Sequence, residues 1–183
     1  MTPKVLGREV AFSTPWFDVV AKAMDGHPSP HYTVLPQDYT TVLATTPAGD
    51  VLMVRQYRPV VEDYTLELPS GLVDAGETPE ACARRELVEE TGHDADVLTC
   101  IGTLVPDVGR LGNRMFCFVA SGARPVSPAP APEPGLELVA CRPEELAGHV
   151  REGRITHALN LAVLMLAALR GHFPLPGVPA AGA

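Results

Sequence analysis

The stretch GLVDAGETPEACARRELVEETGH, Gly71 to His93, decides the fold. Thr78 can accept from backbone N–H groups as an N-cap, and Pro79 suits the first helical position, where a missing N–H costs nothing. Residues 79–90 are good helix formers, and Gly92 stands where a left-handed cap would end the helix. On that helix Glu86 lies three residues before Glu89 and four before Glu90, so three carboxylates crowd one side of the last turn. They also sit at the negative end of the helix dipole. Arg85 can offset part of this through Glu89. The remainder needs a positive partner, and an oxygen-rich cluster suits Mg²⁺ or Mn²⁺. Any two of these glutamates could be a solvated acidic face. The whole pattern, behind a strand over Tyr64–Leu68 and a glycine-containing loop, points to a site.

Working outward, the chain has 183 residues, enough for one compact domain with a sizeable core. Hydrophobic residues make up 46% and charged residues 20%, a globular balance. A net charge of −8 argues against nucleic-acid binding and a membrane-surface role. Cys82, Cys100, Cys117 and Cys141 are scattered without a CxxC pair, so a zinc site or disulfide framework is not expected. Reduced thiols and the absence of a basic segment followed by an apolar run give the expectation of a cytoplasmic protein without a signal peptide. The apolar run Leu161–Leu169 is too short to span a bilayer.

Residues 5–36 read as three strands, VLGREVAF, WFDVVAKAM and HYTVLP, with Asp25-Gly26 as a hairpin turn. Such a small antiparallel sheet must pack on the rest of the chain or on another subunit. Trp16, in the second strand, is read either as core or interface packing or as a surface for stacking a nucleobase. YTTVLATT and VLMVRQY are further strands, followed by Arg58. Arg55 and Arg58 carry guanidinium forks suited to phosphate or to a surface ion pair. Glu67, between Leu66 and Leu68, is read as an anchor for a neighbouring arginine. VLTCIGTLVP is a strand, and residues 107–114, with two glycines and the arginines Arg110 and Arg114, suggest a loop that approaches an anion or a plain connection. MFCFVA and LELVACR are strands. Between them residues 123–135 carry five prolines and read as a stiff surface loop. Pro143-Glu144-Glu145 opens a short helix. Thr156 is a possible cap for the last helix, with His157 in its first turn. Leu159, Val163, Leu166 and Leu169 form the apolar stripe of that helix, and Gly171 ends it. Residues 172–183 read as a frayed tail.

The 71–93 stretch resembles the Nudix box, G-x5-E-x7-R-E-U-x-E-E-x-G-U, matched here by Gly71, Glu77, Arg85, Glu86, Leu87, Glu89, Glu90 and Gly92; His93 replaces the final bulky apolar residue. RQYR at 55–58 and Leu66-Glu67-Leu68-Pro69-Ser70-Gly71 are similar to a signature of the ADP-ribose pyrophosphatase branch. The resemblance implies an α+β fold: an α/β/α sandwich around a mixed sheet over residues 37–171. A small antiparallel sheet over residues 1–36 precedes it, for dimerisation or as a substrate lid. It implies hydrolysis of the pyrophosphate bond of a nucleoside diphosphate sugar, with ADP-ribose giving AMP and ribose 5-phosphate. Another sugar nucleotide such as GDP-mannose, or a non-catalytic nucleotide-binding domain, are the alternatives. The metal, Mg²⁺ or Mn²⁺, would be held by Glu86, Glu89, Glu90 and the backbone carbonyl of Ser70. Arg85 would orient the carboxylates, and Glu77 would brace the loop. The general base would be Glu133, with Glu137 as the alternative. Trp16, Arg55, Arg58, Arg110 and Arg114 are the candidate substrate contacts. The implied partners are a small-molecule substrate and a second copy of the chain, not nucleic acid or membrane. Pro106 matches the branch, while the rest of the 107–114 loop departs from its pattern and leaves the sugar open.

Overall fold

A computed structural model describes residues 2–131 and 133–174. Three antiparallel strands come first: β1 (Val5–Ser13), β2 (Phe17–Met24) and β3 (His31–Pro36), in spatial order β1-β2-β3. Gly26 turns the chain with φ 75°, as the Asp25-Gly26 pair predicts. Trp16 lies just outside β2, because the Thr14 hydroxyl accepts from the amides of Trp16 and Phe17 and makes a tight turn there.

The central sheet is mixed, with the order β12-β5-β4-β10-β9. Its strands are β4 (Tyr39–Thr45), β5 (Val51–Arg58), β9 (Leu98–Leu104), β10 (Met115–Ser121) and β12 (Leu136–Cys141). β10 runs parallel to β4, and the other pairings are antiparallel. Two shorter strands join it, β6 (Asp63–Glu67) along β5 and β7 (Ser70–Leu72) along β4. Side chains alternate through the sheet. Val42, Ala44, Leu52 and Phe118 face Ala83 and Leu87 of helix α1 (Pro79–Thr91). Leu43, Val51, Met53 and Val119 face the other way, onto α2 (Pro143–Arg151) and α3 (Ala158–Leu169) through Leu146, Val163, Leu164 and Ala167. Helices on both faces explain why these strands read as near-continuous apolar runs.

Four details differ from the sequence expectations. The proline-rich 123–135 segment is not wholly loop: β11 (Arg124–Pro125) pairs with β8 (His93–Asp94) at an edge, where a proline costs no ladder bond. His157, not Thr156, is the N-cap residue of α3, and its side chain makes no capping hydrogen bond. Leu169 leaves the apolar stripe and is exposed, since α3 ends there; Leu164 and Ala167 bury in its place. The chain stays packed beyond Gly171, because the His172 amide turns back onto the Ala167 carbonyl and Phe173, 4% exposed, enters the core. The tail expected from residue 172 otherwise falls, from residue 175 on, outside the described residues.

The N-terminal sheet is tied to the main body through β3, and the connection that follows it is held at Asp38. Val34 and Gly112 exchange backbone hydrogen bonds with Arg110 and Val34, at 2.8 and 2.9 Å. Asp38 accepts from the Arg114 amide at 2.6 Å and from its guanidinium at 2.6 and 3.0 Å. No helix among the described residues is long and apolar enough to cross a membrane.

Candidate active site

Helix α1 begins and ends as its residues dictate. The Thr78 hydroxyl accepts from the Ala81 amide at 3.2 Å, and Gly92 closes the helix at φ 67° with its amide on the Val88 carbonyl. Leu87 and Ala83 anchor one side of the helix in the core, which turns the glutamates toward β7. Glu90 accepts from the Ser70 amide at 2.9 Å. Glu86 lies over Gly71, where a Cβ would collide with its carboxylate, so any larger residue would displace Glu86 from this position.

Arg85 organises the rest. It makes a two-point contact with Glu77, Nε to Oε1 and Nη2 to Oε2, each 3.0 Å. Its Nη1 reaches Glu86 at 2.6 Å and Glu89 at 3.2 Å. The Asp74 amide donates to Glu77, so Glu77 braces the loop ahead of the helix. Hydrogen bonds from Arg85 hold the Glu77 carboxyl down at about 2. Glu90 behaves oppositely. Burial, reinforced by the charges of Glu86 and Glu133, pushes it up to about 8 despite the Ser70 amide. Burial likewise raises Glu86 above its ordinary value. The protein therefore buries carboxylates without enough positive charge, and such a donor set fits a hard divalent cation. With Arg85 engaging Glu86 and Glu89, no three His, Cys, Asp or Glu side chains among the described residues already converge on one point.

Beside this cluster a cleft of about 480 Å³ is lined by Tyr39, Arg58, Glu67, Ser70, Gly71 and His157. It adjoins a second cleft of about 680 Å³ that includes Arg55, Tyr64, His149 and Arg154; Val61, Thr65 and Thr156 border both. Arg58 lines the first cleft, and its fork is held on Glu67 by two 2.8 Å bonds, the anchoring expected of Glu67. Arg55 stands over the Tyr64 ring at 4.1 Å and pairs with Glu137 at 3.2 Å. Of the two candidate bases, Glu133 lies in the loop and places its charge against Glu86 and Glu90, whereas Glu137 lies in β12 and is occupied by Arg55. Glu89 is half exposed beside Arg85. Arg110 and Arg114 line neither cleft. Arg110 pairs with Asp107 at 3.4 Å, Arg114 with Asp38, and their loop lies against β3. Trp16 is 71% exposed on the N-terminal sheet, so it is not core within this chain.

Two residues at the start of α3, His157 in the cleft wall and Asn160 in the core behind it, carry signals that the apolar reading of the helix passes over. His157 lines the cleft with a buried Nδ1 that has no partner among the described residues. Asn160 is fully buried, and its Oδ1 accepts from the Leu68 amide at 2.9 Å. A lone asparagine in ALNLAVLMLAAL was the available signal, since a buried amide must find a partner.

An ADP-ribose pyrophosphatase of Bacillus subtilis is 33% identical over 120 residues, 64% of this chain and 65% of that protein. An ADP-sugar pyrophosphatase of Mus musculus is 39% identical over 88 residues, 46% of this chain and 40% of that protein. The chain thus spans less than two thirds of the length of these relatives. The crystal structure of an ADP compounds hydrolase superposes with a TM-score of 0.78 at 22% identity, over 93% of this chain and 96% of that one, which establishes the shared fold. The NUDIX domain model matches residues 35–159, a span holding the capped helix, its glutamates, Arg85 and the clefts, and on that ground the chain belongs to the Nudix family.

Proposed function

We propose that the protein is a metal-dependent pyrophosphohydrolase that splits nucleoside diphosphate sugars, with ADP-ribose as substrate and AMP and ribose 5-phosphate as products. The observation that carries this reading is the burial of Glu86 and Glu90 against Ser70 and Gly71 at the edge of an arginine-bearing cleft. The ADP-ribose and ADP-sugar pyrophosphatases among its relatives support the substrate class.

The residues that would hold Mg²⁺ or Mn²⁺ are Glu86, Glu89, Glu90 and the Ser70 carbonyl. The cation supplies neutralisation of the pyrophosphate charge, the main obstacle to nucleophilic attack on it. Arg85 sets the directions of Glu86 and Glu89. Glu133 takes the proton of the attacking water, and Arg58, held square by Glu67, presents its outer edge to a phosphate oxygen. Arg55 and Tyr64 form a flat platform in the adjoining cleft for the more distant part of the substrate.

The N-terminal sheet, residues 1–36, serves as the contact between two copies of the chain. Leu6, Val10, Phe12 and Tyr32 on it and Trp16 beside it are all more than half exposed, apolar side chains that a second copy would cover. The four cysteines are unpaired, consistent with a reducing, cytoplasmic setting.

A Mg²⁺-dependent turnover panel of ADP-ribose, ADP-glucose, GDP-mannose, UDP-glucose and deoxynucleoside triphosphates, with products identified by mass, tests the proposal. Preferred cleavage of ADP-ribose to AMP supports it. A preference for GDP-mannose moves the assignment to another sugar nucleotide, and no turnover of any of them overturns it.

A further inference from the structure

The central sheet is split. β4 pairs with β5 only at Ala44–Leu52 and Thr45–Val51; beyond these, β6 occupies β5 and β7 occupies β4. The chain crosses the split at Leu68–Pro69. Pro69 has no N–H, and its carbonyl accepts from the Val42 amide at 2.9 Å. The Leu68 amide has left the β5 ladder, whose last pair is Val54–Glu67, and Leu68 is fully buried. An unpaired amide at that position would carry its full desolvation penalty.

Asn160, from the first turn of α3, supplies the missing acceptor through Oδ1 at 2.9 Å. Its Nδ2 has no partner among the described residues, so the bond to Leu68 is what accounts for an amide in this otherwise apolar helix. Two residues further on, the Ser70 amide holds Glu90 at 2.9 Å, and Gly71 lies beneath Glu86. We propose that Asn160 is a positioning residue for the carboxylate cluster: its bond to Leu68 fixes residues 68–71, and through them the directions of Glu90 and Glu86. It acts across the sheet from α1, on the side opposite the glutamates. This rests on the hydrolase reading of the same site, and the test below separates the two.

N160L, of similar volume but without an acceptor, and N160D, which keeps an oxygen at the Leu68 amide, are compared with the wild type. The readouts are Mn²⁺ binding by calorimetry, Mg²⁺-dependent kinetics on ADP-ribose, thermal unfolding, and exchange of the Ser70 amide by NMR. N160L is expected to weaken Mn²⁺ binding and lower kcat by about tenfold or more, the usual effect of disturbing a supporting contact at a metal site. KM should change by less than about threefold, and N160D should recover most of both losses. A folded N160L whose Mn²⁺ affinity and kcat stay within about twofold of wild type overturns the inference. Should N160L not fold, N160D decides: near-wild-type binding supports the acceptor role, and a loss of about tenfold in a folded N160D overturns it. Should the wild type bind no Mn²⁺ and turn nothing over, the hydrolase reading fails by itself. Ser70 amide exchange still decides the positioning claim, with faster exchange in N160L expected and unchanged exchange overturning it.

Discussion

Gly71 lies so close to Glu86 that one added Cβ would overlap the carboxylate. The glycine is therefore part of the site and not merely of the loop. Gly71→Ala should push Glu86 aside and lower kcat by about 10²-fold, the usual cost of an ångström-scale misplacement. Because only the free end of a side chain must move, the fold should lose less than about 1 kcal/mol. Steady-state kinetics together with a thermal melt check both halves. Full activity in the alanine variant would remove Glu86 from the site.

Glu90 is the most deeply set of the three glutamates and, among the described residues, the only one of them gripped by a backbone amide. Glu90→Gln should lose turnover by roughly 10²–10⁴-fold. It should also lose most of the thermal stabilisation that Mg²⁺ gives the wild type, about 2.7 kcal/mol at a hundredfold excess over Kd. Chelation with EDTA should abolish wild-type turnover reversibly. A domain that only binds nucleotide would keep its ligand affinity in this variant and show no response to EDTA.

Acid should act through Arg58–Glu67. Burial alone would raise the Glu67 carboxyl, but hydrogen bonds from Arg58 and Thr65 more than offset it and hold it below the ordinary 4.5. A lowered folded value means that the stability is present in full above 4.5 and drains away as pH falls through the folded value. Glu67→Gln should cost about 1–3 kcal/mol at neutral pH, less than a fully buried pair because Arg58 is partly exposed. It should also flatten the acid limb of the stability curve. Urea melts across the acid range test this, and an unchanged limb would place the acid-sensitive contact elsewhere.

Association should depend on the N-terminal sheet. Sedimentation should give a mass of two chains, and Val10→Asp with Phe12→Asp should return it to one, since charges cannot be buried across an apolar contact. A wild-type monomer at micromolar concentration would rule this surface out as the contact.

Much of this architecture can be read in the sequence, for physical reasons that also mark where reading stops. Thr78, Pro79 and Gly92 specify the limits of α1 by local chemistry, and the helix period then collects Glu86, Glu89 and Glu90. The runs YTTVLAT and VLMV are apolar because both faces of the sheet are covered. What depends on distant partners stays hidden. No local pattern ties Asp38 to Arg114, or the backbone of β3 to the 107–114 loop, so the ion pair of Arg114 and the contact of that loop with the N-terminal sheet could not be read from the sequence. Asn160 is hidden differently. Its partner is a backbone amide left over by the split between β4 and β5, a consequence of topology that no spacing rule encodes.

Phe173 bears on where the chain can be cut. Composition invites a boundary at Gly171, where the prolines, alanines and glycines begin. A fragment ending there would leave a void in the core cluster to which Phe173 belongs, at a cost of roughly 3–5 kcal/mol by analogy with removing a buried phenylalanine. One ending at Pro174 would retain Phe173 in that cluster. The folded body thus runs at least to Phe173, two residues past the point where composition alone would trim it.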